Sequence, residues 1–317
     1  MGGSADFSPT RFAVIGAGPV GSVVAGHLAA KGFEVTLCDI VEDLLRPALD
    51  PGIEIEGADS LSGAKVTRVT THVDELGDFD PEVIFVTTKA TALPLLASAI
   101  QGFHREGMYV VSWQNGIDTE LVLAEALGRP WVMRAVVNMG VGLAGPGRVH
   151  MAFHHPPHYV QELDPAGRAA AEGVAQALTA AGLPTEHTDQ LVSMVWRKTI
   201  MNASMNPVCA LTGMTMAQAM QDPFVAGIVD QLVKEGIQVA RANEISLGWD
   251  YYRYCMNYLR SAGNHKPSML MDVEAKRRTE IDYINGKIVE YGEMAGIPTP
   301  YNQMIQALVK GREETLR

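Results

Sequence analysis

Three polar residues recur every fourth position in the second half of this 317-residue chain: Lys198, Asn202 and Asn206. If the segment is helical, this spacing puts the three side chains on one face, among apolar neighbours. A desolvated lysine has a lowered pKa and can act as a general acid or base, so this face could line a ligand-binding cleft. If the helix is considered alone, a solvent-exposed surface face explains the spacing of these three residues equally well. Pro207 lacks an N–H and is expected to end or kink the helix.

A serine and a glutamate further along the chain could face the same ligand. Ser268 follows Pro267, where a helix can begin. One straight helix from Ser268 to Glu280 would hold them ~18 Å apart, too far to share a small ligand. The stretch Thr279–Asp282 resembles a new helix start with acids in its first turn. We therefore predict a break near Arg278, which lets Glu280 point back toward the cleft.

The start of the chain carries a G-x-G-x-x-G turn, formed by Gly16, Gly18 and Gly21. The turn follows the apolar run Phe12–Ile15 and precedes the amphipathic run Ser22–Lys31. This arrangement is typical of a dinucleotide-binding βαβ unit, in which the glycines permit a tight turn, a close phosphate and close helix packing. The first N–H groups of the helix attract the phosphates. The predicted cofactor-binding residues of the turn are Gly16, Ala17, Gly18, Pro19, Val20 and Gly21.

An acid follows the second apolar strand, because Glu34–Cys38 ends at Asp39. A carboxylate there accepts hydrogen bonds from a free ribose 2′-hydroxyl and repels a 2′-phosphate. The sequence therefore predicts NAD as the cofactor. Arg46 lies close enough in sequence to bind a 2′-phosphate, so NADP stays the alternative. A glycine-rich turn in another kind of α/β protein is the remaining explanation.

The elements that must position these residues follow a two-part pattern. Short apolar runs alternate with helical ones in the first part, which predicts a mostly parallel, doubly wound α/β sheet. Methionine-rich amphipathic helices replace the strands from Asp189 onward. We predict a disordered lead over 1–10, a Rossmann dinucleotide-binding domain over 11–188 and an all-helical substrate and catalytic domain over 189–317. The predicted strands are Phe12–Ile15, Glu34–Cys38, Val83–Thr87, Tyr109–Ser112 and Trp131–Val137, with Arg148–Phe153 as an antiparallel return.

Composition narrows the class of protein. A net charge of −11 argues against a nucleic-acid partner. No apolar run approaches the ~18–20 residues of a membrane span. The three cysteines are scattered, which predicts neither disulfides nor a zinc site and favours the reducing cytoplasm. A histidine cluster lacks acids or cysteines at ligand spacing, so we predict loop histidines and no metal site: His150, His154, His155 and His158.

Together, these segments resemble the ketopantoate reductase family over nearly the whole chain. The specific motifs are W-x-K-x-x-x-N-x-x-x-N-P, S-M-x-x-D and T-E-I-D-Y-I-N-G, which begin at Trp196, Ser268 and Thr279. Thr88-Lys89-Ala90 and Gln114-Asn115-Gly116 also occur in the family's order. The resemblance implies a Rossmann domain followed by a helical domain. It also implies reduction of a 2-oxo acid to a 2-hydroxy acid by hydride transfer from a nicotinamide.

The resemblance also implies residue roles. Lys198 matches the catalytic lysine, which protonates the carbonyl oxygen as hydride reaches the carbon. Glu280 matches the acid that contacts the substrate hydroxyl and that lysine. Asn202 and Asn206 match substrate-binding asparagines, and Ser268 matches a residue that binds the substrate carboxylate. Asn115 matches an asparagine near the nicotinamide and the substrate. Lys89 matches a lysine near the cofactor.

Three points stay open in the sequence. The aromatic stretch Trp249–Tyr258 is not part of the family's core pattern. It either packs between helices or in a dimer, or it remodels the pocket for a bulkier, aromatic substrate. A related hydroxy-acid or opine-type dehydrogenase and a non-catalytic dinucleotide sensor are the alternative functions, although a sensor does not need the lysine, serine and glutamate. The apolar, methionine-rich helices favour a homodimer through the helical domain.

Overall fold

The computed structural model describes residues 7–315, which separate into two compact units. Unit 1 comprises residues 7–88, 92–114 and 119–191, and unit 2 comprises residues 89–91, 115–118 and 192–315. The first six residues of the predicted disordered lead lie outside the described residues. The Phe7 ring packs edge-on against Tyr109 at 5.0 Å, and the Thr10 N–H donates to Glu82 at 2.8 Å. Residues 7–10 are therefore part of unit 1.

The strands of the described chain all lie in unit 1. Eight of them form one sheet in the order β12-β11-β8-β7-β6-β1-β2-β5, in which β11 and β8 are the antiparallel pair. This confirms the mostly parallel sheet. The strand bounds are β1 Arg11–Ile15, β2 Glu34–Cys38, β3 Ile53–Gly57, β4 Leu61–Ala64, β5 Arg68–Thr70, β6 Val83–Val86, β7 Tyr109–Ser112, β8 Val132–Val136, β9 Met139–Gly145, β10 Arg148–His154, β11 His158–Glu162 and β12 Thr185–His187.

The parallel register brings four strand ends to one edge of this sheet. Ile15 stands opposite Cys38 on one side and opposite Val86 on the other. Val86 in turn stands opposite Ser112. These are the last residues of β1, β2, β6 and β7, so the chain leaves the sheet at the same edge four times. The glycine turn follows β1 at this edge, and Asp39 follows β2 there. Ligands of such sheets bind beyond the carboxyl ends of the strands.

A second sheet, in the order β4-β3-β10-β9, was not predicted as a sheet. Its β9–β10 pair is antiparallel, which confirms the predicted return. Helix α1 packs against this sheet, since a Cβ at Gly26 would meet Leu61 at 3.0 Å and Ile53 at 3.2 Å. The helices of unit 1 are α1 Pro19–Lys31, α2 Glu42–Leu49, α3 Leu93–Gln101, α4 Thr119–Leu127 and α5 Arg168–Ala180.

Every regular element between Leu191 and Thr315 is a helix, which confirms the predicted helical region. The predicted break lies between Glu274 and Ile281. Within residues 7–315, no helix is long and apolar enough to cross a membrane. The helices are α6 Leu191–Thr212, α7 Met216–Gln221, α8 Pro223–Ala242, α9 Tyr251–Ser261, α10 Ser268–Glu274, α11 Ile281–Ala295 and α12 Pro300–Glu314.

Pro207 was predicted to end or kink its helix; the first alternative is wrong, because α6 continues to Thr212, and the kink stays a prediction. A proline in a helix leaves the carbonyl four residues earlier without its usual donor, here Ala203. The side-chain amide of Asn285, on α11, donates to this carbonyl at 2.9 Å. The bond supplies the donor that Pro207 lacks and ties α6 to α11.

Candidate active site

The glycine turn has the geometry that a dinucleotide requires. Gly16 has a φ of +107°, and a Cβ there would lie 3.0 Å from the Thr88 nitrogen. A Cβ at Gly21 would lie 1.8 Å from the Gly16 carbonyl oxygen, so the helix packs too closely for any side chain. A Cβ at Gly18 would meet nothing within 4 Å. Open space at Gly18, just before α1 begins at Pro19, fits the approach of a phosphate to the helix N-terminus.

Asp39 lies against this turn. One carboxylate oxygen accepts from the Ala17 N–H at 2.7 Å, and the other accepts from the Val41 N–H at 2.9 Å. A carboxylate oxygen has two lone pairs, so each can accept a further hydrogen bond. Arg46, the alternative phosphate ligand, lies on α2 and pairs with Glu42 at 3.1 Å.

Unit 2 contains a compact cluster around Glu280, the residue immediately before α11. Glu280 is only 4% exposed. One carboxylate oxygen accepts from the Ala90 N–H at 3.0 Å. The other lies 3.6 Å from the Lys89 ammonium and 3.5 Å from the Asn115 amide nitrogen. The structure therefore brings together three of the predicted site residues, from segments far apart in sequence.

Lys89 has a second carboxylate partner, the buried Asp272 of α10. Its ammonium donates to Asp272 at 2.6 Å. The other oxygen of Asp272 accepts from Arg277 at 3.1 and 3.2 Å. Burial lowers the pKa of Lys89, but Glu280 and Asp272 raise it by more, so the net shift is upward. Lys89 therefore stays positively charged beside Glu280.

Sequence reasoning missed the roles of Asp272 and Arg277. Asp272 is the acid of the S-M-x-x-D motif, for which the sequence predicted no role, and Arg277 was not among the predicted site residues. The guanidinium of Arg277 is largely exposed, but it pairs with a buried carboxylate. The spacing of Ser268 and Asp272 was the available signal, since four residues place both on one face of a helix.

Helix α6 carries the other predicted group. Lys198 and Asn202 are half-buried and Asn206 is buried, at the predicted spacing. Besides the Asn285 bond, Trp196 of α6 packs edge-on against Tyr291 of α11 at 5.1 Å. The helix with Lys198 is thus fixed to the helix that begins after Glu280. Ser268 is the first residue of α10 and is half-buried.

The aromatic stretch makes contacts within unit 2 that favour a packing role. Tyr251 is buried, and its hydroxyl donates to the Arg197 carbonyl. The Arg197 guanidinium lies 5.5 Å from the Tyr251 ring centre and 5.2 Å from that of Tyr254. Tyr252 bonds to Asp230. The pocket alternative and the homodimer stay predictions.

One group among residues 7–315 has the donor types of a metal site, and it is not the histidine cluster. Single ligand atoms of Glu162, His187 and Asp189 lie within 4.8 Å of one another. His187 bonds to Glu162 at 2.6 Å, and Asp189 pairs with Arg168 at 3.2 Å. The prediction of no metal site stays a prediction, but the prediction of loop histidines is wrong for three of the four, since His150 and His154 lie in β10 and His158 begins β11.

A mostly parallel sheet with this glycine turn at its carboxyl edge defines a Rossmann-type dinucleotide-binding protein, here followed in sequence by helices. Two family profiles match the chain. One is described as ketopantoate reductase PanE/ApbA and matches residues 12–165, and the other is its C-terminal domain and matches residues 190–313. The chain belongs to the ketopantoate reductase family and is an NAD(P)-dependent oxidoreductase.

Individual relatives agree with this assignment. A 2-dehydropantoate 2-reductase of Pyrococcus horikoshii is 32% identical over 95% of this chain and 96% of its own. A ketopantoate reductase structure from Ralstonia eutropha has a TM-score of 0.85 at 27% identity, covering 96% of this chain and 99% of its own. A D-mandelate dehydrogenase with NADH and anilino(oxo)acetate has a TM-score of 0.84 at 27% identity, covering 96% and 98%.

Proposed function

We propose that the protein reduces a 2-oxo acid to a 2-hydroxy acid with NADH, with Lys198 as the general acid. The observation that carries the proposal is the buried Glu280 carboxylate, which Lys89, Ala90 and Asn115 hold in place. The helix that follows Glu280 is bonded to the helix that bears Lys198. A carboxylate at the start of α11 and a lysine on α6, which is bonded to α11, suit carbonyl reduction, because that reaction needs a positioned proton donor.

A bound nicotinamide supplies the hydride. Negative charge develops on the carbonyl oxygen as the hydride reaches the carbon, and Lys198 donates a proton to that oxygen. Glu280 contacts the product hydroxyl and orients Lys198. Lys89 keeps its own positive charge next to Glu280 and offsets the cost of burying that carboxylate.

Polar side chains of unit 2 orient the substrate in this proposal. Asn202 and Asn206 offer amides from the face of α6 that carries Lys198. Ser268 offers a hydroxyl for the substrate carboxylate, and Asn115 offers an amide next to Glu280. Amide and hydroxyl groups both donate hydrogen bonds, so they suit the two oxygens of a carboxylate and a neighbouring carbonyl.

NAD is the proposed cofactor. Asp39 lies against the glycine turn with lone pairs left for a ribose hydroxyl, and its charge repels a 2′-phosphate. Arg46 is paired with Glu42, which disfavours its use as a phosphate ligand. NADP binding would require Arg46 to leave that pair.

Ketopantoate is the first substrate to test, since the Pyrococcus relative is named for its reduction. A bulkier or aromatic 2-oxo acid is the second candidate, favoured by the likeness to D-mandelate dehydrogenase. An opine-type dehydrogenase and a dinucleotide sensor are less well supported. A sensor gains nothing from an arrangement that holds Glu280 beside Lys89 and Asn115.

The test is a titration with NADH and NADPH by tryptophan quenching, followed by turnover with ketopantoate and with phenylglyoxylate. We expect tighter NADH binding and oxidation of NADH by one of the two acids. Turnover of ketopantoate supports the first substrate, and turnover of phenylglyoxylate alone supports the second. Cofactor binding without turnover of any 2-oxo acid, in either direction, would leave the sensor as the function.

A further inference from the structure

The segment 115–118 is held against one face of α11. The Ile117 N–H donates to the Tyr283 carbonyl at 3.0 Å. Gly116 has a φ of +104°, and a Cβ there would lie 2.6 Å from the same carbonyl oxygen. The backbone of the segment thus reaches the helix as closely as only glycine allows. Asn115, which contacts Glu280, is the first residue of this segment.

Asp118 closes the other end of the segment. Its side chain is 16% exposed, and one oxygen accepts from the Tyr291 hydroxyl at 3.1 Å. The other oxygen pairs with Lys287 at 3.2 Å. Asp118 has a φ of +61°, a left-handed conformation that aspartate, asparagine and glycine adopt more readily than other residues. Because both of its carboxylate oxygens are bonded to α11, the position of Asp118 is fixed by these partners.

The partners lie on one face of α11 and on the residue that precedes it. Tyr283, Lys287 and Tyr291 of α11 follow Glu280 at intervals of three, four and four residues, which is the spacing of one helix face. Glu280 contacts Asn115, and Lys287 and Tyr291 bind Asp118. Glu280 and one face of α11 therefore fix the two ends of the segment.

We propose that Asp118 is a positioning residue, which, through Lys287 and Tyr291, sets the Asn115 amide against Glu280. The inference rests on the proposed function, because it assigns Asn115 to the reacting site. Asp118 itself contacts neither substrate nor cofactor in this proposal. It affects the reaction only because it determines the position of the Asn115 amide relative to Glu280.

The first test separates the side-chain bonds of Asp118 from its backbone conformation. Asp118→Gly removes both bonds and tolerates the positive φ, whereas Asp118→Ala removes both bonds and adds backbone strain at that φ. We expect both to lower kcat/KM about tenfold, as displacement of an orienting group does. Wild-type kcat/KM in Asp118→Gly would overturn the proposal. Glu290→Ala is the matched control, because Glu290 is the exposed second partner of Lys287 and should leave kcat/KM unchanged.

A double-mutant cycle asks whether Asp118 acts through Asn115. In an Asn115→Ala background, Asp118→Ala should have little further effect on kcat/KM, because the amide it positions is already absent. A further tenfold loss in that background would overturn the proposal. Tyr291→Phe keeps the ring that packs on Trp196 and removes only the hydroxyl, so it provides a milder variant if Asp118→Ala fails to fold. It should show the same non-additivity with Asn115→Ala.

Hydrogen exchange gives a readout that does not depend on turnover. The Ile117 amide should exchange faster in Asp118→Ala and Tyr291→Phe than in the wild type, while Glu290→Ala leaves it unchanged. Unchanged exchange in both variants would overturn the proposal that Asp118 holds the segment 115–118 against α11. If wild-type protein reduces no 2-oxo acid, the proposed function fails, and the exchange rates still decide whether Asp118 holds the segment.

Discussion

The glycine turn of unit 1 and the Glu280 cluster of unit 2 are built in opposite ways. The turn is six consecutive residues, and its chemistry comes from backbone N–H groups and from the absence of side chains. The cluster consists of side chains from the segments 89–91 and 115–118, from α10 and from the residue before α11. Substitutions in the turn should therefore act through space and backbone shape. Substitutions in the cluster should act through charge and hydrogen bonding.

Lys198→Ala should have the largest effect on turnover, and it should change the chemical step without changing cofactor binding. It removes the proposed proton donor on α6 and leaves the glycine turn intact. We expect turnover to fall about 10²-fold or more, while NADH binding in a fluorescence titration is unchanged. Near-wild-type turnover would exclude Lys198 as the acid. Lys234→Ala, which removes a half-exposed lysine paired with Asp230 on α8, is the control.

Gly21→Ala and Gly18→Ala should separate the two functions of the turn. A Cβ at Gly21 would overlap the Gly16 carbonyl, so we expect a loss of up to about 3 kcal/mol in the free energy of unfolding. Gly18 has a φ of −69° and open space around it, so alanine should be tolerated in the fold. Its methyl group would instead fill the space proposed for a phosphate and weaken NADH binding. Denaturant titrations and NADH titrations of both variants measure this, and equal stability of the two would contradict the packing role of Gly21.

The two regions also differ in how far the sequence predicted them. The turn could be predicted because its residues are contiguous and the need for each glycine can be read from the motif itself. The break before Glu280 could be predicted for the same reason, from a local helix-start pattern. The second sheet was missed because Ile53–Gly57 and Leu61–Ala64 are not continuous apolar runs, and because β10, from far along the chain, completes the sheet.

Tertiary pairings account for what the sequence could not predict in the candidate site. Lys89 meets Asp272 across 183 positions, and no local pattern specifies that pair. Pro207 was expected to end or kink α6 because proline lacks an N–H. Local propensity contains no information about a distant donor that replaces it. Asn285 provides that donor and lets the helix continue.

Asn285→Ala should destabilise unit 2 by about 2 kcal/mol, since it leaves the buried Ala203 carbonyl without this donor. Pro207→Ala would restore a backbone N–H to the same carbonyl. If Asn285 replaces the missing donor, Pro207→Ala should stabilise the Asn285→Ala variant more than it stabilises the wild type. Urea unfolding of the four proteins measures the difference. Equal gains in both backgrounds would mean that Asn285 acts through its other bond, to Asn302 at 3.0 Å.

Asp39→Asn should have the smallest effect and act mainly on cofactor choice. Asparagine keeps one oxygen for the Ala17 N–H, loses the acceptor of the Val41 N–H, and removes the charge that repels a 2′-phosphate. We expect the ratio of NADPH to NADH dissociation constants to fall about tenfold, or about 1.4 kcal/mol, and the free energy of unfolding to fall by about 1 kcal/mol for the lost hydrogen bond. Arg46→Ala should leave this ratio as it is, because the structure pairs Arg46 with Glu42. If Arg46→Ala weakens NADPH binding selectively, Arg46 leaves Glu42 to bind the phosphate, and NADP becomes the better assignment.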